Sequence, residues 1–360
     1  MKGPMSTSIL DDRQAIAQLD PSGALASAES IADQIRQVWE ERERIQLQPQ
    51  AEIRQVVVAG MGGSALGADL VKHLYQQQLR APFEICRGYS LPKYVDQHTL
   101  VILSSYSGDT EETLACAKEA AARGAMIAVI TAGGALAKLA KQQHYPHFLI
   151  EPRANPSNQP RMATAYNIMA LLIMLSQAGL LDFGEDDYQQ ILDTVNLSTQ
   201  KYLIEVPQEH NQAKMLAYLC VERRPLLVGA DFLEGALHIV TNQFNENAKT
   251  FADYKIVPEL NHHLLEGLTF PKSNPLHHFF IFFQSRFYHP QVHKRLELTK
   301  AAVEKLEFDS LLIELEGDNP LTQAFELIVL GAFSNLYLAY LEGTDPCPIP
   351  MVDWFKAQLK

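Results

Sequence analysis

The chain has 360 residues, which is more than most single domains hold, so we expect about two domains. Hydrophobic residues make up 47% and charged residues 20%, as in globular proteins, and we find no run of about 18 apolar residues that would predict a membrane span. The net charge of −12 argues against nucleic-acid or membrane-surface partners, which need a basic face, but permits a small anionic substrate.

The N-terminus and the cysteines suggest where the protein works. The opening "MKGPMSTSILDDRQ" lacks the apolar stretch of a signal peptide. The four cysteines (Cys86, Cys116, Cys220 and Cys347) are far apart and form no C-x-x-C pair. This pattern is typical of reduced thiols, so we expect a cytoplasmic protein.

Residues 1–50 are mostly polar and have a helical pattern. Ile31, Ile35 and Val38 recur at the spacing of one helix face, with Ser and Asp residues upstream as candidate caps. We expect a lead-in helix in this segment, packed on the first domain.

Residues 51–162 alternate between short strands and helices. The predicted strands are "RQVVVAG", "APFEICRG", "TLVILSS", "AMIAVIT" and "PHFLIEP". Such alternation predicts an α/β domain with a parallel sheet covered by helices on both faces. The first and third strands each end in a loop rich in Gly and Ser, and ligands bind at the carboxyl ends of strands in such sheets.

A second domain follows a helical connector. Residues 152–162 are a Pro/Asn-rich break, and residues 163–206 read as helices that join two domains. Residues 207–345 then repeat the pattern of the first domain, because "RPLLVGADFLEGALHIV" echoes "QVVVAGMGGSALGADLV". We expect a duplicated α/β unit whose second copy lacks comparably rich loops, closed by a C-terminal helix in residues 346–360.

The loop "GMGGSALG" after the first strand permits two readings. Gly60, Gly62 and Ala65 form a G-x-G-x-x-A pattern, which alone is a weak sign of dinucleotide binding. The acidic residue expected at the end of the second strand is missing, because Arg87 lies there. This difference argues against a nucleotide and leaves the loop free for another anion.

The loop "SSYSGDTEET" after the third strand favours phosphate. It offers the hydroxyls of Ser105, Ser107 and Thr110 at the start of a predicted helix, where free N–H groups attract anions. Ser64 of the first loop would approach from the neighbouring strand. Simple helix capping by Ser and Thr is the alternative, but two such loops at one sheet edge favour a phosphate site.

"GMGGSA" followed by "SYSGDTEE" resembles the sugar isomerase (SIS) domain of phosphosugar-binding enzymes. The resemblance implies that Gly63, Ser64, Ser105, Ser107 and Thr110 hold the phosphate of a sugar phosphate. Asp109 stands where the family usually has Asn, so we expect its carboxylate to point away from the phosphate.

The stretch "NENAKTFADYKIVPELNHH", residues 245–263, carries groups suited to acid–base chemistry. Glu246 lies near the end of a predicted apolar helix, and His262 has a side chain suited to proton transfer near pH 7. From the residues alone, a helix-end charge paired with Lys249 is the favoured interpretation of Glu246. A surface position or structural hydrogen bonding is likewise favoured for His262 and His263. The residues between these groups look like a structural spacer.

"NENAK" followed by "PELNH" resembles the bifunctional phosphoglucose/phosphomannose isomerases, over about residues 54–360. The resemblance implies two doubly wound, flavodoxin-like SIS domains with helical terminal segments, no cofactor and no metal. It also implies a homodimer with the active site at the subunit interface. The substrate would be glucose 6-phosphate or mannose 6-phosphate, converted to fructose 6-phosphate through a cis-enediolate. The roles implied are base for Glu246, ring opening for His262 from the other subunit, enediolate stabilisation for Arg161 and contact with the ring oxygen for Lys356.

One departure and two alternatives stay open. Ile349 and Cys347 lie in "DPCPIP", where related enzymes that use both sugars have a threonine, so the preference between the epimers is not given. A metal-dependent phosphomannose isomerase would use His262, His263 and Glu266, or the His277–His278 pair. A non-catalytic sugar-phosphate sensor would carry a basic DNA-binding module, and residues 1–50 show no basic run.

Overall fold

The computed structural model describes residues 9–359. Residues 1–8 lie outside the described residues; they are the first residues of the predicted lead-in and of the opening stretch examined for a signal peptide. The strands are β1 (Gln55–Gly60), β2 (Phe83–Cys86), β3 (Thr99–Ser105), β4 (Met126–Thr131), β5 (His147–Leu149), β6 (Arg224–Ala230), β7 (Asp253–Val257), β8 (His278–Gln284) and β9 (Asp309–Glu314). The helices are α1 (Arg13–Leu19), α2 (Ala24–Glu29), α3 (Ile31–Glu40), α4 (Gly63–Leu74), α5 (Glu111–Ala122), α6 (Gly134–Gln143), α7 (Thr164–Gln177), α8 (Glu185–Tyr202), α9 (Gln212–Cys220), α10 (Glu234–Glu246), α11 (Leu264–Gly267), α12 (Asn274–His277), α13 (Pro290–Lys305), α14 (Pro320–Leu341) and α15 (Pro350–Gln358).

The first sheet is parallel throughout and has the order β2-β1-β3-β4-β5. Every residue of β3 is buried, as expected for a strand covered by helices on both faces. The strand order reverses between β1 and β3, which is the point where ligands bind in doubly wound sheets. The two Gly/Ser loops follow these two strands.

The second sheet, β7-β6-β8-β9, is also parallel and repeats the order of the first four strands of the first sheet. The predicted fold class, two doubly wound α/β units, is therefore confirmed, whereas the limits of the domains stay a prediction. The sequence pattern does not predict β7, which occupies part of the stretch interpreted above as a structural spacer. Its sequence "DYKIV" mixes charged and apolar residues because β7 is a half-buried strand at the sheet edge.

The two domains pack against each other through α4 and α10, the helices that follow the first strand of each sheet. A Cβ on Gly235 of α10 would lie 2.4 Å from the Cα of Leu70 of α4, so only glycine allows this approach. The long helix α14 packs on α10 where Gly331 faces Val240. α14 is long and apolar enough to cross a membrane by length and composition, contrary to the expectation from sequence, but 94% of its most apolar window is buried inside the protein.

The predicted lead-in helix is in fact three helices, α1 to α3. The chain turns between α1 and α2 because the carboxylate of Asp20 binds the N–H groups of Ala24 and Leu25, each at 2.8 Å. Asp20 also accepts a hydrogen bond of 3.0 Å from the hydroxyl of Tyr340 in α14. The segment therefore contacts α14 of the second domain as well as the connector helices α7 and α8, beyond the predicted packing on the first domain.

Candidate active site

The loops after β1 and β3 are bonded to each other. Ser64, the second residue of α4, accepts a 2.9 Å hydrogen bond at its hydroxyl oxygen from the N–H of Tyr106. The hydroxyl of Ser104 donates to the carbonyl of Ser64 at 2.7 Å. The strand order brings these loops together, because β1 and β3 are neighbours whose carboxyl ends lie at one edge.

The loop after β3 is held in place by hydrogen bonds to its own hydroxyl groups. The Ser105 and Thr110 hydroxyl oxygens lie 2.8 Å apart, and the N–H of Gly108 donates to Ser105 at 3.1 Å. Gly108 has a φ of +76°, and a Cβ there would lie 1.8 Å from the carbonyl oxygen of Gly133. The loop therefore requires glycine at this position.

The loop hydroxyls retain donor capacity. Ser64, Ser105 and Ser107 each accept a hydrogen bond from a backbone N–H group, which uses lone pairs and not hydroxyl protons. The Ser105–Thr110 pair uses one of its two hydroxyl protons internally and leaves the other, with those of Ser64 and Ser107, to donate. The side chain of Thr110 does not cap α5, so the first N–H groups of that helix remain available at its positive end. Such a set of donors can hold a phosphate dianion without a lysine.

The carboxylate of Asp109 is engaged outside this set of hydroxyls. Its Oδ1 accepts a 2.8 Å hydrogen bond from the N–H of Ala135, in the first turn of α6. The acidic side chain thus binds the start of a third helix, and its charge is stabilised there.

The Pro/Asn-rich break joins the loops to Arg161. A Cβ on Gly63 would lie 3.2 Å from the backbone nitrogen of Arg161, so the start of α4 packs directly on this segment. The hydroxyl of Tyr106 donates to Asn158 at 3.0 Å and accepts from Asn155 at 3.1 Å. The segment is therefore part of the wall between the two loops and the second domain.

Arg161 is buried, with 1% of its surface exposed, and all its guanidinium nitrogens donate. Nη1 lies 2.9 Å from Gln159 and 3.4 Å from the carboxylate of Glu246. Nη2 donates to the carbonyls of Pro346 and Cys347, each at 2.8 Å, and Nε donates to Asn247. Burial lowers the pKa of Arg161, and the Glu246 charge opposes that effect.

Glu246 is the last residue of α10, and its side chain is 32% exposed. It therefore contacts the buried arginine while remaining accessible to a small molecule. Lys249 does not pair with this carboxylate: its ammonium donates to the Glu246 carbonyl at 2.6 Å and to the Pro346 carbonyl at 2.9 Å. The helix-end ion pair considered from sequence is thus replaced by the contact with Arg161.

The structure does not bring His262 or Lys356 to this pair. In residues 9–359 neither side chain has a hydrogen bond or ion pair with Glu246 or Arg161, and both are exposed. His262 ends the 3-10 turn Glu259–His262 that follows β7. Lys356 lies on α15, a helix without a buried residue, which begins just after the Pro346 carbonyl held by Arg161 and Lys249.

The metal ligands considered from sequence do not converge. Among the described residues, the one group of three His, Cys, Asp or Glu side chains with ligand atoms within 4.8 Å of one another is Asp20, Asp345 and Cys347. Both oxygens of Asp20 already accept hydrogen bonds. The histidine pairs and Glu266 form no such group.

A cavity of about 670 Å³ lies between the domains, where Lys72 and His73 of α4 face Glu234 of α10. None of the candidate site residues lines it. The candidate site lies instead at the junction of the two loops, the Pro/Asn-rich break and the end of α10, and His262 and Lys356 are exposed outside it.

Sequence reasoning missed Tyr106, Gln159 and Asn247, which connect the loops, Arg161 and α10. The position of Asn247 beside Glu246 in "NEN" was the available signal. Its role depends on contacts between residues 86 positions apart, which spacing along the chain does not reveal.

Comparisons with known proteins identify the family of both domains. Residues 51–179 match the SIS domain family, and residues 209–359 match the family described as bacterial phospho-glucose isomerase C-terminal SIS domain. A bifunctional phosphoglucose/phosphomannose isomerase of Caldicellulosiruptor bescii is 33% identical over 344 residues, which cover 92% of this chain and 98% of that protein. A protein of the same name from Aquifex aeolicus is 27% identical over 85% of this chain and 90% of its own length.

Solved structures with little sequence identity share the fold. A hypothetical protein from Thermus thermophilus superposes with a TM-score of 0.76 at 17% identity, covering 97% of this chain and 92% of that one. A putative phosphosugar isomerase from Clostridium difficile gives a TM-score of 0.68 at 17% identity, covering 93% of this chain and 97% of that one.

Proposed function

The chain belongs to the bifunctional phosphoglucose/phosphomannose isomerase family, and we propose that it interconverts glucose 6-phosphate and mannose 6-phosphate with fructose 6-phosphate. The observation that carries this proposal is the 3.4 Å contact between the buried guanidinium of Arg161 and the accessible carboxylate of Glu246. This contact combines a proton acceptor with a fixed cation beside two loops rich in hydroxyl donors.

The substrate phosphate binds in the first domain. The hydroxyl protons of Ser64 and Ser107, the one proton that the Ser105–Thr110 pair leaves free, and the N-terminal turns of α4 and α5 donate to its oxygens. Gly63 and Thr110 complete the site as the first residue of α4 and the residue that precedes α5. Binding of the phosphate fixes the distal end of the sugar, so that its C1–C2 end reaches the second domain.

Glu246 moves the proton. It removes the C2 proton of the open-chain aldose, the C–H electron pair forms the C1=C2 bond, and the carbonyl oxygen becomes an oxyanion. The cation of Arg161 stabilises that charge in the cis-enediolate. The hydroxyl proton on the C2 oxygen then passes to the C1 oxygen, which leaves the negative charge on the C2 oxygen. Glu246 returns its proton to C1, the C2 oxygen becomes the ketone oxygen, and the ketose phosphate leaves.

Ring opening requires a second subunit in this proposal. His262 of the second copy would protonate the ring oxygen beside Lys356, which accounts for the absence of a contact between His262 and Glu246 within the described chain. Exposed apolar side chains support association: Trp354 is 59% and Phe355 56% exposed on α15. The protein is thus proposed to be a cytoplasmic homodimer with interfacial sites.

The test is a coupled assay of fructose 6-phosphate formation from each aldose phosphate, with and without a chelator. We expect turnover of glucose 6-phosphate that the chelator leaves unchanged. The same assay gives the preference between the epimers, which Cys347 and Ile349 leave open. Binding of either sugar phosphate without turnover would instead support a sensor, and loss of turnover with the chelator would support the metal-dependent reaction.

A further inference from the structure

We propose that Asn247, Asn335 and Gln243 form a buried ring of amides that positions the guanidinium of Arg161 for the enediolate, an inference that rests on the proposed function. The family resemblance assigns no role to these three side chains. They are positioning residues, because they act on the reaction only through Arg161.

The ring is closed by hydrogen bonds. Arg161 Nε donates to Asn247 Oδ1, and Asn247 Nδ2 donates to Asn335 Oδ1 at 2.8 Å. Asn335 Nδ2 donates to Gln243 Oε1 at 3.4 Å, and Gln243 Nε2 returns to the backbone carbonyl of Arg161 at 3.1 Å. At most 2% of each residue's surface is exposed, so water does not compete for these groups.

The direction of each hydrogen bond follows from the guanidinium. A guanidinium can only donate, so Asn247 must present its oxygen to Arg161 and its NH₂ group to Asn335. Asn335 must then present its oxygen to Asn247 and its NH₂ group to Gln243, whose NH₂ group faces the Arg161 carbonyl. One arrangement of the three amides satisfies the ring, and a buried network satisfied in one way is rigid.

The ring fixes the position of Arg161 relative to Glu246, the proposed base. Arg161 precedes α7, Gln243 and Asn247 lie on or directly after α10, and Asn335 lies on α14. Because Asn247 directly follows Glu246, its bond to Arg161 fixes the cation relative to the carboxylate across the two domains. The amides are also neutral, so they orient the guanidinium without cancelling the charge that the enediolate needs.

The experiment compares Asn247→Ala and Asn335→Ala with a matched control, Asn245→Ala. The Asn245 amide lies on α10 but binds the Thr241 and Ala252 carbonyls, away from Arg161. For each purified full-length variant we would measure kcat, KM and, by calorimetry, the affinity for two probes. The first is glucitol 6-phosphate, which is uncharged at C1–C2. The second is 5-phosphoarabinonate, whose carboxylate mimics the enediolate charge.

We expect the two ring variants to lose about 10- to 100-fold in kcat and in affinity for the carboxylate probe, somewhat less than the loss of a whole oxyanion donor. KM and affinity for glucitol 6-phosphate should stay within about threefold of wild type, because phosphate contacts are retained. The control should match wild type in kcat and in affinity for both probes.

Three results overturn the inference while leaving the proposed function intact. They are wild-type kcat in both ring variants, equal losses for the two probes, and the same losses in the control. Wild-type protein that neither turns over nor binds either probe would instead overturn the proposed function. If Asn247→Ala does not fold, Gln243→Ala opens the ring at its other side and carries the same expectations.

Discussion

The guanidinium of Arg161 lies 3.4 Å from the carboxylate of Glu246, although the two residues are 85 positions apart in the chain. The arginine is buried and the glutamate is a third exposed, so the pair is a fixed cation beside an accessible base. This asymmetry suits proton transfer, because the base must reach the substrate while the cation must not move.

Replacing the base should remove turnover without removing binding. We expect Glu246→Gln to lower kcat by about 10² to 10⁴, the usual contribution of a general base, with KM changed little. Glu297→Gln, at an exposed carboxylate on α13, is the control and should behave as wild type. Steady-state kinetics checks both, and near-normal turnover in Glu246→Gln would show that another group is the base.

Mixing two inactive variants tests whether the site is shared. If His262 acts in the neighbouring subunit's site, a heterodimer of Glu246→Gln and His262→Ala has one complete site. After subunit exchange of equal amounts, half of the dimers are mixed, so about a quarter of wild-type activity should return. Dilution series and kinetics of the mixture measure this. No recovery, with exchange demonstrated by tagged subunits, would place His262 in its own chain's site or outside the reaction.

The phosphate loop should depend on Gly108. In Gly108→Ala the new Cβ would lie 1.8 Å from the Gly133 carbonyl oxygen, so the loop must move and the hydroxyls lose their alignment. We expect KM to rise by about tenfold or more, since roughly 1.4 kcal/mol of lost phosphate binding is sufficient.

Gly124→Ala is the matched control for that change. Gly124 has a φ of +69°, but a Cβ there meets nothing within 4 Å. It should lower stability by about 1 kcal/mol through backbone strain and leave KM unchanged. Urea unfolding and initial-rate kinetics on both variants separate the two effects. Equal KM values in Gly108→Ala and Gly124→Ala would show that the loop does not hold the phosphate.

The interface between α4 and α10 should make stability depend on pH. Burial lowers the pKa of His73 from 6.5 to about 4, although the Asp69 charge opposes the shift. Between these values the unfolded chain binds a proton that the folded protein does not, so stability falls as pH decreases from about 6.5 to 4. The loss at pH 4 should be about 3 kcal/mol relative to His73→Gln.

Urea unfolding of wild type and His73→Gln at several pH values measures that difference. His73 Nδ1 lies 3.1 Å from Glu234 Oε2, so the competing outcome is an ion pair between protonated His73 and the Glu234 carboxylate. Stability that increased on acidification, relative to the variant, would show that the ion pair outweighs the cost of burying the charge.

The sheets could be predicted from sequence because their strands are continuous apolar runs. All five strands predicted for the first sheet were found, and β6 forms in the stretch that echoes the first strand. β7 escaped because Asp253 and Lys255 interrupt its apolar pattern at a sheet edge. The lead-in was misjudged because the helical spacing of its apolar residues does not show where Asp20 turns the chain.

The two Gly/Ser loops could be located from sequence, whereas the surroundings of Arg161 could not. A Gly/Ser loop after a buried strand has local chemistry that can be read directly. The contacts of Arg161 with Asn247 and the Cys347 carbonyl join residues 86 and 186 positions away, so they exist only after folding. The contribution proposed for His262 requires a second chain, so neither sequence spacing nor the contacts of one folded chain can reveal it.

Conversion of glucose 6-phosphate in D₂O, followed by NMR, tests the central claim most directly. Proton transfer by Glu246 through an enediolate predicts fructose 6-phosphate that carries deuterium at C1, because the carboxylate proton exchanges with solvent during part of the turnovers. Glu246→Gln should slow formation of the labelled product by the same factor as its loss in kcat. Formation of fructose 6-phosphate without deuterium at C1, or no conversion by the wild-type protein, would contradict the account.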